Sequence, residues 1–250
     1  MSDRLPPRMT RRSMLGLLGG VAAAAFFSGG RAKLGTINGG IGLSSSVLAA
    51  TPPSCVVRPE QTEGPYFVDE KLRRSDIRID PSDNSVQPGV PLKLEFKVAG
   101  IRDGTCAPLS SAVVDVWHCD AFGVYSDVRD PRFDTRGKKF LRGYQLTDAN
   151  GSAAFLTIYP GWYEGRAVHI HFKIRMAQGT RAQEFTSQLY FDEAVTDDVF
   201  REPPYGGKSG RRSANDRDFI FRRSGKQLLL TPVKDAQGYA AQFEIGLKLA

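Results

Sequence analysis

The feature that most constrains this chain is a short segment, residues 168–174, that carries His169 and His171. Its other residues are mainly β-branched or aromatic, which is typical of a strand. Successive side chains of a strand point to opposite faces, so the two histidines share one face and the apolar residues between them share the other. Two imidazoles side by side on a rigid strand form half of a metal site. An exposed strand face with two polar residues is the simpler interpretation of the pair alone.

Two tyrosines extend this pattern toward a complete ligand set. Tyr163 lies six residues before His169, directly after a Pro-Gly-Trp turn segment, and Tyr125 lies in a loop after a predicted strand. A phenolate is a hard oxygen donor, and its pKa of about 10 falls only beside a strongly Lewis-acidic centre. Two phenolates with two neutral imidazoles therefore suit Fe(III) better than Zn(II) or Fe(II).

Length and charge indicate one globular domain after an N-terminal extension. The 250 residues are 41% hydrophobic, which is enough for a sizeable core. The formal charge is +7, but residues 1–50 hold six basic residues and one acidic residue and so supply most of it. The rest of the chain is close to neutral and shows no nucleic-acid-binding motif. We therefore expect no nucleic-acid partner.

The N-terminus is typical of an export signal. Arg11 and Arg12 precede an apolar run over residues 14–27, which fits a twin-arginine signal peptide. The run is shorter than the roughly 20 residues of a membrane helix, so we expect no stable membrane span after processing. A chance arginine pair before a buried helix is the alternative. The sequence predicts a signal peptide and disordered linker over residues 1–50, one domain over residues 51–250, and a periplasmic or secreted location.

Three cysteines in an exported chain allow one disulfide bond and one free thiol. Of the three pairings, we favour Cys55 with Cys106, which would fasten the start of the domain to a loop before the central strands. Cys119 would then stay reduced.

The pattern of the remaining segments predicts an all-β fold, a single β-sandwich domain with long loops and little helix. Several short strands at regular spacing with turn residues between them are typical of that architecture. Helix is limited to one or two turns over residues 193–199, and residues 120–139 predict a long loop of functional importance. The predicted strands before that helix are residues 92–98, 112–118, 141–147, 153–158, 168–174 and 185–191.

Two hairpins are predicted from turn residues. Asn150-Gly151 separates two of these strands, and Asn-Gly in that context is a strong hairpin signal. A closing hairpin is expected from residues 228–233 and 239–249, which flank an Ala-Gln-Gly turn.

Five motifs, in this order, make the sequence resemble the intradiol ring-cleaving catechol dioxygenases, the family of protocatechuate 3,4-dioxygenase and catechol 1,2-dioxygenase. They lie within residues 55–195, and each alone would be a weak signal. The motifs are TEGPY at 62–66, VDVWH at 114–118, GVYS at 123–126, TDANG at 147–151, and PGWY at 160–163 leading to RAVHIHF at 166–172.

The resemblance implies a ligand set for non-haem Fe(III). Tyr125 matches the equatorial tyrosinate of the family, and Tyr163 matches the axial tyrosinate that is released when substrate binds. His169 and His171 match the two histidine ligands. His118 is not a ligand in the family pattern, and we expect it to be a hydrogen-bonded histidine at a strand end.

The resemblance also implies residues that act on the substrate. Arg166 matches an arginine that lies against the bound ring, and Gln188 matches a glutamine on a neighbouring strand. The family's turn that approaches the active site matches Gly64, Pro65 and Tyr66. Simpler interpretations are a core aromatic for Tyr163, a surface arginine for Arg166 and a solvated strand residue for Gln188.

The implied reaction inserts both atoms of O2 into a catechol-type substrate. The substrate would lose one of its protons to Tyr163, and the ring would open between the two hydroxyl-bearing carbons to give a muconate-type dicarboxylate. Tyr163 and Arg166 would be catalytic, with Gln188 assisting. Because family members often dimerise, the resemblance leaves a homodimer open.

One departure and two alternatives accompany this interpretation. Only five residues separate Tyr163 from His169, fewer than in the better-known family members, so we hypothesise a more open pocket that accepts bulkier or substituted catechols. A non-catalytic exported β-sandwich that binds iron or phenolic compounds would need the ligand set but not Arg166. A zinc hydrolase is the third hypothesis, although no carboxylate accompanies the histidine pair at metalloprotease spacing.

Overall fold

The computed structural model describes residues 55–178 and 181–249, and within them strands predominate. The all-β prediction is confirmed, whereas the predicted signal peptide and linker lie outside the described residues. The strands are β1 (Pro91–Arg102), β2 (Thr105–Pro108), β3 (Val113–Trp117), β4 (Arg129–Asp130), β5 (Phe133–Asp134), β6 (Arg142–Leu146), β7 (Ser152–Ile158), β8 (His169–Gln178), β9 (Arg181–Phe191), β10 (Leu229–Leu230), β11 (Val233–Asp235) and β12 (Gly238–Lys248).

Helix is confined to short segments. The α-helices are α1 (Glu193–Val199) and α2 (Phe219–Ser224), and 3-10 turns lie at Tyr205–Gly207, Asn215–Arg217 and Gly225–Leu228. The first helix was expected, and its N-cap is Asp192, whose carboxylate accepts from Ala194 N at 2.8 Å. The second was not expected and is capped by Asp218. Among the described residues, no helix has both the length and the apolar character to cross a membrane.

Ten of the strands form two five-stranded sheets that pack face to face, and β4 pairs with β5 in a separate two-stranded sheet. The first sheet has the order β10-β9-β8-β3-β6, and the second has the order β11-β12-β1-β2 with β7 also paired to β1. Phe96 on β1 and Phe243 on β12 meet Phe172 on β8, with ring centroids 5.2 and 5.5 Å apart respectively. The two inner faces thus share one core, as in a β-sandwich.

Strand β8 lies at the centre of the first sheet, between β9 and β3. Ile170, Phe172 and Ile174 on one of its faces are fully buried in the core. The opposite face carries His169 and His171, which are also buried, because loops cover this side of the sheet. The functional face of β8 is therefore the outer face of the first sheet, closed over by loop residues.

The predicted hairpin at Asn150-Gly151 is wrong, although the turn itself forms. Gly151 adopts φ +72° and its N–H donates to Asp148 O at 3.0 Å. The flanking strands then part: β6 pairs with β3 in the first sheet, and β7 pairs with β1 in the second. The connection crosses between the sheets, because β7 pairs along its whole length with the longer strand β1, from Pro91↔Ile158 to Lys97↔Ser152.

The predicted closing hairpin is only partly formed. Strand β11 pairs antiparallel with β12, but β10 pairs parallel with β9 in the other sheet. Pro232 lies between the two short strands and lacks the N–H that a continuous ladder needs. Strand β12 makes its long pairing elsewhere, parallel to β1 from Leu92↔Tyr239 to Ile101↔Lys248.

A disulfide joins Cys55 to Cys106, the pair that the sequence favoured, with 5.7 Å between the Cα atoms. Cys106 lies in β2 at the end of the second sheet, and Cys55 begins the described chain. Cys119 is free and buried.

Candidate metal centre

Four side chains that the sequence singled out converge on one point beneath the loops. His169 Nε2 lies 3.0 Å from His171 Nε2, 3.2 Å from the Tyr163 hydroxyl and 3.5 Å from the Tyr125 hydroxyl. The two histidines come from β8, and the tyrosines come from two separate loops. Three of the four residues are fully buried, and Tyr163 is partly buried.

These atoms fit a metal ion in both chemistry and spacing. His169 Nδ1 donates to the carbonyl of Ala167 at 2.7 Å, so Nε2 of this neutral ring presents a lone pair to the cluster. Two donors about 2.0–2.1 Å from a metal ion, at an angle of about 90–110°, are about 3.0–3.4 Å apart. The distances from His169 Nε2 to His171 Nε2 and to the Tyr163 hydroxyl, 3.0 and 3.2 Å, lie in that range, and the distance to the Tyr125 hydroxyl is 3.5 Å. The donor set is therefore two imidazole nitrogens and two phenol oxygens, as the sequence predicted for Fe(III).

Burial keeps the side chains of the cluster neutral in the absence of a metal ion. Burial raises the pKa of Tyr125 well above its usual value and raises that of Tyr163 to about 12. Burial also lowers the pKa of His169 and His171 well below the usual value. All four groups are thus neutral without a metal, and a bound cation is what would favour ionised phenols here.

The position of His171 follows from strand register. His171 pairs with Trp117 on β3 and with Gln188 on β9. Trp117 in turn pairs with Arg142 on β6. The Trp117 ring stacks on the His171 ring at 5.1 Å with 9° between their planes. A row of four side chains across four strands therefore holds this imidazole in place.

Gly64 completes the packing around His171. A Cβ added at this glycine would lie 3.2 Å from His171 Cε1, and its φ of +74° also favours glycine. Of the other two residues of the predicted turn, Pro65 is exposed. Tyr66 stacks on Tyr125 with centroids 4.5 Å apart, and its hydroxyl donates to Asp130 Oδ2 at 2.7 Å. Gly64 and Tyr66 thus lie at the cluster, and Pro65 faces outward.

Arg142 anchors the loop that carries Tyr125. Its buried guanidinium donates from Nε to Ser126 Oγ at 2.8 Å and also binds the Ser126 carbonyl. A third contact reaches the carbonyl of Tyr66 at 3.2 Å. The sequence analysis missed this residue, because an arginine at the start of a predicted strand does not show which loop it will meet.

Arg166 lies beside the four donors and is held on two sides. Its Nε donates to Asp218 Oδ2 at 2.9 Å, and Nη2 donates to Gln188 Oε1 at 2.5 Å. Nη1 lies 3.5 Å from His169 Nε2. The guanidinium is therefore a fixed positive charge at the edge of the cluster, not a surface arginine.

Gln188 is fully buried, so the alternative of a solvated strand residue is wrong. Its Nε2 donates to the carbonyl of Thr62 at 2.8 Å, and Oε1 accepts from Tyr190 as well as from Arg166. The Tyr190 hydroxyl also reaches Gln61 Oε1 at 2.8 Å. The glutamine thus connects Arg166 to β9 and to the segment before Gly64.

Asp218 is the functional residue that the sequence analysis missed most clearly. Its carboxylate is buried, accepts from Arg166 and from Ala167 N through Oδ2, and accepts from Ile220 N and Phe221 N through Oδ1. An aspartate before an apolar run is a helix N-cap signal, which would have indicated α2. Its contact with Arg166, 52 residues away, has no local signal.

His118 and Cys119 remain outside the ligand set, as expected. His118 is buried and hydrogen-bonded at both ring nitrogens, to Cys119 O at 2.8 Å and to Thr157 Oγ1 at 2.6 Å. Within residues 55–178 and 181–249, no group of three or more His, Cys, Asp and Glu side chains is placed to hold a metal. The candidate centre therefore depends on its tyrosines, which disfavours the zinc-hydrolase alternative.

Comparison with known proteins agrees with this geometry. A sequence profile of the family described as Dioxygenase matches residues 62–204. Catechol 1,2-dioxygenase 2 of Acinetobacter lwoffii is 30% identical over 155 residues, which is 54% of this chain and 51% of that protein. The protocatechuate 3,4-dioxygenase beta chain of Burkholderia cepacia is 35% identical over 104 residues, 38% of this chain and 44% of that one. The chain thus spans about half the length of these relatives.

A solved structure extends the similarity over most of the described residues. The intradiol ring-cleavage dioxygenase of Tetranychus urticae superposes with a TM-score of 0.65 at 31% identity, covering 78% of this chain and 94% of that one. The matched region contains Tyr125, Tyr163, His169 and His171. With the family profile spanning more than half of the sequence, this chain belongs to the intradiol ring-cleaving dioxygenase family.

Proposed function

We propose that this protein is a non-haem Fe(III)-dependent intradiol dioxygenase that inserts both atoms of O2 into a catechol-type diol. The ring would open between the two hydroxyl-bearing carbons, giving a muconate-type dicarboxylate. One observation carries the proposal: two phenol oxygens and two imidazole nitrogens surround one point, with Arg166 beside it. Tyr125, Tyr163, His169 and His171 would hold the iron.

When bound there, Fe(III) supplies Lewis acidity toward a catecholate. Tyr163 would accept a substrate proton as a tyrosinate, the form that a bound cation would favour, and burial, which raises the pKa of its phenol to about 12, would make that tyrosinate a strong base. Of the two tyrosines it is the less buried, and only two exposed residues follow it before Arg166. Tyr163 can therefore change partners, whereas Tyr125 is enclosed.

Arg166 would stabilise negative charge on the substrate ring. Its guanidinium is already fixed by Asp218 and Gln188, so no reorientation is needed when charge develops. Such a preorganised charge in a site that excludes water contributes a few kcal/mol, on the order of 3, to a transition state. Gln188 acts through Arg166 by holding one of its nitrogens.

The substrate pocket is proposed to admit bulky or substituted catechols. Between Tyr163 and His169 the chain turns within five residues, and Gly165 in that turn has open space around it. Confinement of activity to unsubstituted catechol would contradict this part of the proposal. Export by the twin-arginine route to the periplasm or beyond remains a proposal, supported by the N-terminal sequence and by a disulfide that suits an oxidising compartment.

The test is the visible spectrum of the iron-loaded protein before and after anaerobic addition of catechol. We expect a tyrosinate-to-Fe(III) charge-transfer band that shifts to longer wavelength with catechol and decays when air is admitted. A shifted band that survives air would favour the alternative, an exported β-sandwich that only binds iron or phenolic compounds. A colourless protein at full iron occupancy would refute the ligand assignment.

Tyr163→Phe separates the enzyme from the binder. Loss of the base should lower turnover about 10²- to 10⁴-fold while catechol still binds. Tyr159→Phe is the control, because Tyr159 is a buried tyrosine whose hydroxyl bonds to Thr196 Oγ1 and not to the cluster. A Tyr163→Phe variant that turns over at the native rate would exclude the proposed base.

A further inference from the structure

Lys208 joins the two loops that carry the tyrosines. It lies beyond residues 62–204, the region matched by the family profile, just after the 3-10 turn Tyr205–Gly207. Its ammonium donates to the backbone carbonyls of Phe122 and Trp162. Phe122 lies three residues before Tyr125, and Trp162 directly precedes Tyr163.

The two loops already meet backbone to backbone at this point. Gly161 N donates to Asp120 O at 3.0 Å, and a Cβ added at Gly161 would lie 2.4 Å from the carbonyl oxygen of Ala121. Gly123 has φ +84°, and a Cβ there would lie 2.2 Å from the carbonyl oxygen of Trp162. We call this contact between residues 120–123 and 160–162 the loop seam; only glycines allow so close an approach.

Lys208 counteracts an electrostatic repulsion between two backbone carbonyls at the loop seam. The carbonyl oxygens of Phe122 and Trp162, one from each loop, are directed at the same ammonium group. Two carbonyl dipoles converging in a part-buried place repel each other unless a donor lies between them. An ammonium group is suited to this, since it has three donors and no acceptor.

Lys208 is itself held in place by aromatic packing. Its Nζ lies 4.2 Å from the centroid of the Trp162 ring, within the range of a cation–π interaction. Gly210, with φ +101°, lies so close to that ring that an added Cβ would be 3.0 Å from Trp162 Cη2. The segment after residue 204 is therefore packed against the loop of Tyr163.

We propose that Lys208 is a positioning residue that fixes the two loops at the seam and so sets the separation of the Tyr125 and Tyr163 hydroxyls. Its contacts are with the Phe122 and Trp162 carbonyls and the Trp162 ring, none of which belongs to the four donor residues. Anchoring Trp162 would also let the Tyr163 side chain move while its backbone stays in place. The link to iron rests on the proposed function, whereas the effect on the loops does not.

Amide hydrogen exchange of the metal-free protein tests the effect on the loops. Lys208→Met removes the donors and keeps an apolar stem, and the N–H groups of Gly123 and Gly161 report on the seam because both donate to Asp120 O. We expect both amides to exchange about tenfold faster or more, as for the loss of a hydrogen bond to a charged group. Lys208→Arg should restore slow exchange.

Lys234→Met is the matched control. Lys234 Nζ lies 5.9 Å from the Tyr239 ring centroid, so the control removes a lysine near an aromatic ring on β11, away from the seam. Lys208→Leu, which also removes all three donors, serves as a second variant if the methionine variant does not fold. Native exchange at Gly123 and Gly161 in either folded variant would overturn the proposal.

The iron-loaded protein provides the second measurement. We expect the tyrosinate charge-transfer band of Lys208→Met to shift and to lose intensity, with a lower kcat at an unchanged KM. The band of Lys234→Met should match the native one. If the native protein shows no such band, the proposed function fails, and hydrogen exchange still decides the role of Lys208. A native band and native kcat in Lys208→Met would refute the positioning of the tyrosines.

Discussion

Arg166 shows how much one side chain can depend on residues distant in sequence. Its guanidinium contacts Asp218, Gln188 and His169, which come from a helix cap and from two strands. The buried Asp218 carboxylate balances its charge and, through its other oxygen, caps α2. A single carboxylate therefore links the orientation of Arg166 to the start of α2, a helix outside residues 62–204, the region that the family profile matches.

Asp218→Asn should separate these two roles. The amide can still cap α2 but cannot offer two anionic oxygens, so we expect kcat/KM to fall about 10- to 100-fold with the iron spectrum retained. Asp218→Ala should in addition lose about 1 kcal/mol of folding free energy, because it removes the cap. Asp192→Ala, which removes the cap of α1 alone, is the control for stability. Native kcat/KM in Asp218→Asn would show that Arg166 needs no carboxylate.

His118 makes stability depend on pH. Burial lowers its pKa to about 4, from 6.5. The unfolded chain thus binds this proton at a pH where the folded protein does not, so the contribution is present above pH 6.5 and is lost as pH falls toward 4. We expect urea unfolding of the metal-free protein to show a loss of about 2 kcal/mol from this group between pH 7 and 4.5. In His118→Gln the decline should be smaller by that amount; an equal decline would refute the assignment.

Strand β8 is the element on which the site depends. Its inner face packs in the sandwich core, and its outer face presents both histidines to the loops. Because β3 and β9 flank it, Trp117 and Gln188 stand on either side of His171 by register alone. The histidines are thus held by a rigid sheet, while the tyrosines and Gly64 belong to loops that must be anchored separately.

Gly64→Ala should disturb the centre through His171. The new methyl group would lie 3.2 Å from Cε1 of that ring, in addition to the backbone strain of φ +74°, about 1–2 kcal/mol. Gly104→Ala is matched, since Gly104 has the same φ of +74° and nothing within 4 Å of the added Cβ. We expect both variants to lose similar stability, but only Gly64→Ala to lose iron faster to a chelator. Equal iron retention would exclude the packing role.

At the scale of the whole molecule, segments from both ends of the described chain reach the site on the first sheet. The segment after Cys55 runs along this sheet, where Gln61 N donates to Thr186 O at 3.0 Å, and then supplies Gly64 and Tyr66 to the site. The segment after residue 204 supplies Lys208 and Asp218. The site therefore draws on both ends of the domain and on its centre.

The disulfide should stabilise this arrangement without shaping the site. It closes a separation of 51 residues, for which chain entropy gives about 4 kcal/mol. The double variant Cys55→Ser, Cys106→Ser should lower the free energy of unfolding in urea by about 2–4 kcal/mol. Its charge-transfer band should remain native, because backbone hydrogen bonds still anchor the segment before Gly64. A reductant should leave the double variant unchanged; a lost band would show that the disulfide also shapes the centre.

The sequence by itself predicted the class of fold and singled out the four side chains that the structure brings together. Strand periodicity is a local property, so it placed His169 and His171 on one face, and the motifs around Tyr125 and Tyr163 indicated the two tyrosines that lie beside them. The motif at 62–66 also indicated Gly64 and Tyr66, which lie beside His171 and Tyr125 in the structure, and their role in substrate binding stays a prediction.

Only the tertiary structure decided how the strands pair and what surrounds the ligands. The Asn150-Gly151 turn formed as predicted, yet its strands joined different sheets, because pairing depends on partners far along the chain. Asp218, Arg142 and Lys208 carry no local signal for their roles, since a hydrogen bond between distant residues exists only once both segments are in place. Charge and burial at the centre are collective properties of the folded chain, and the local sequence does not contain them.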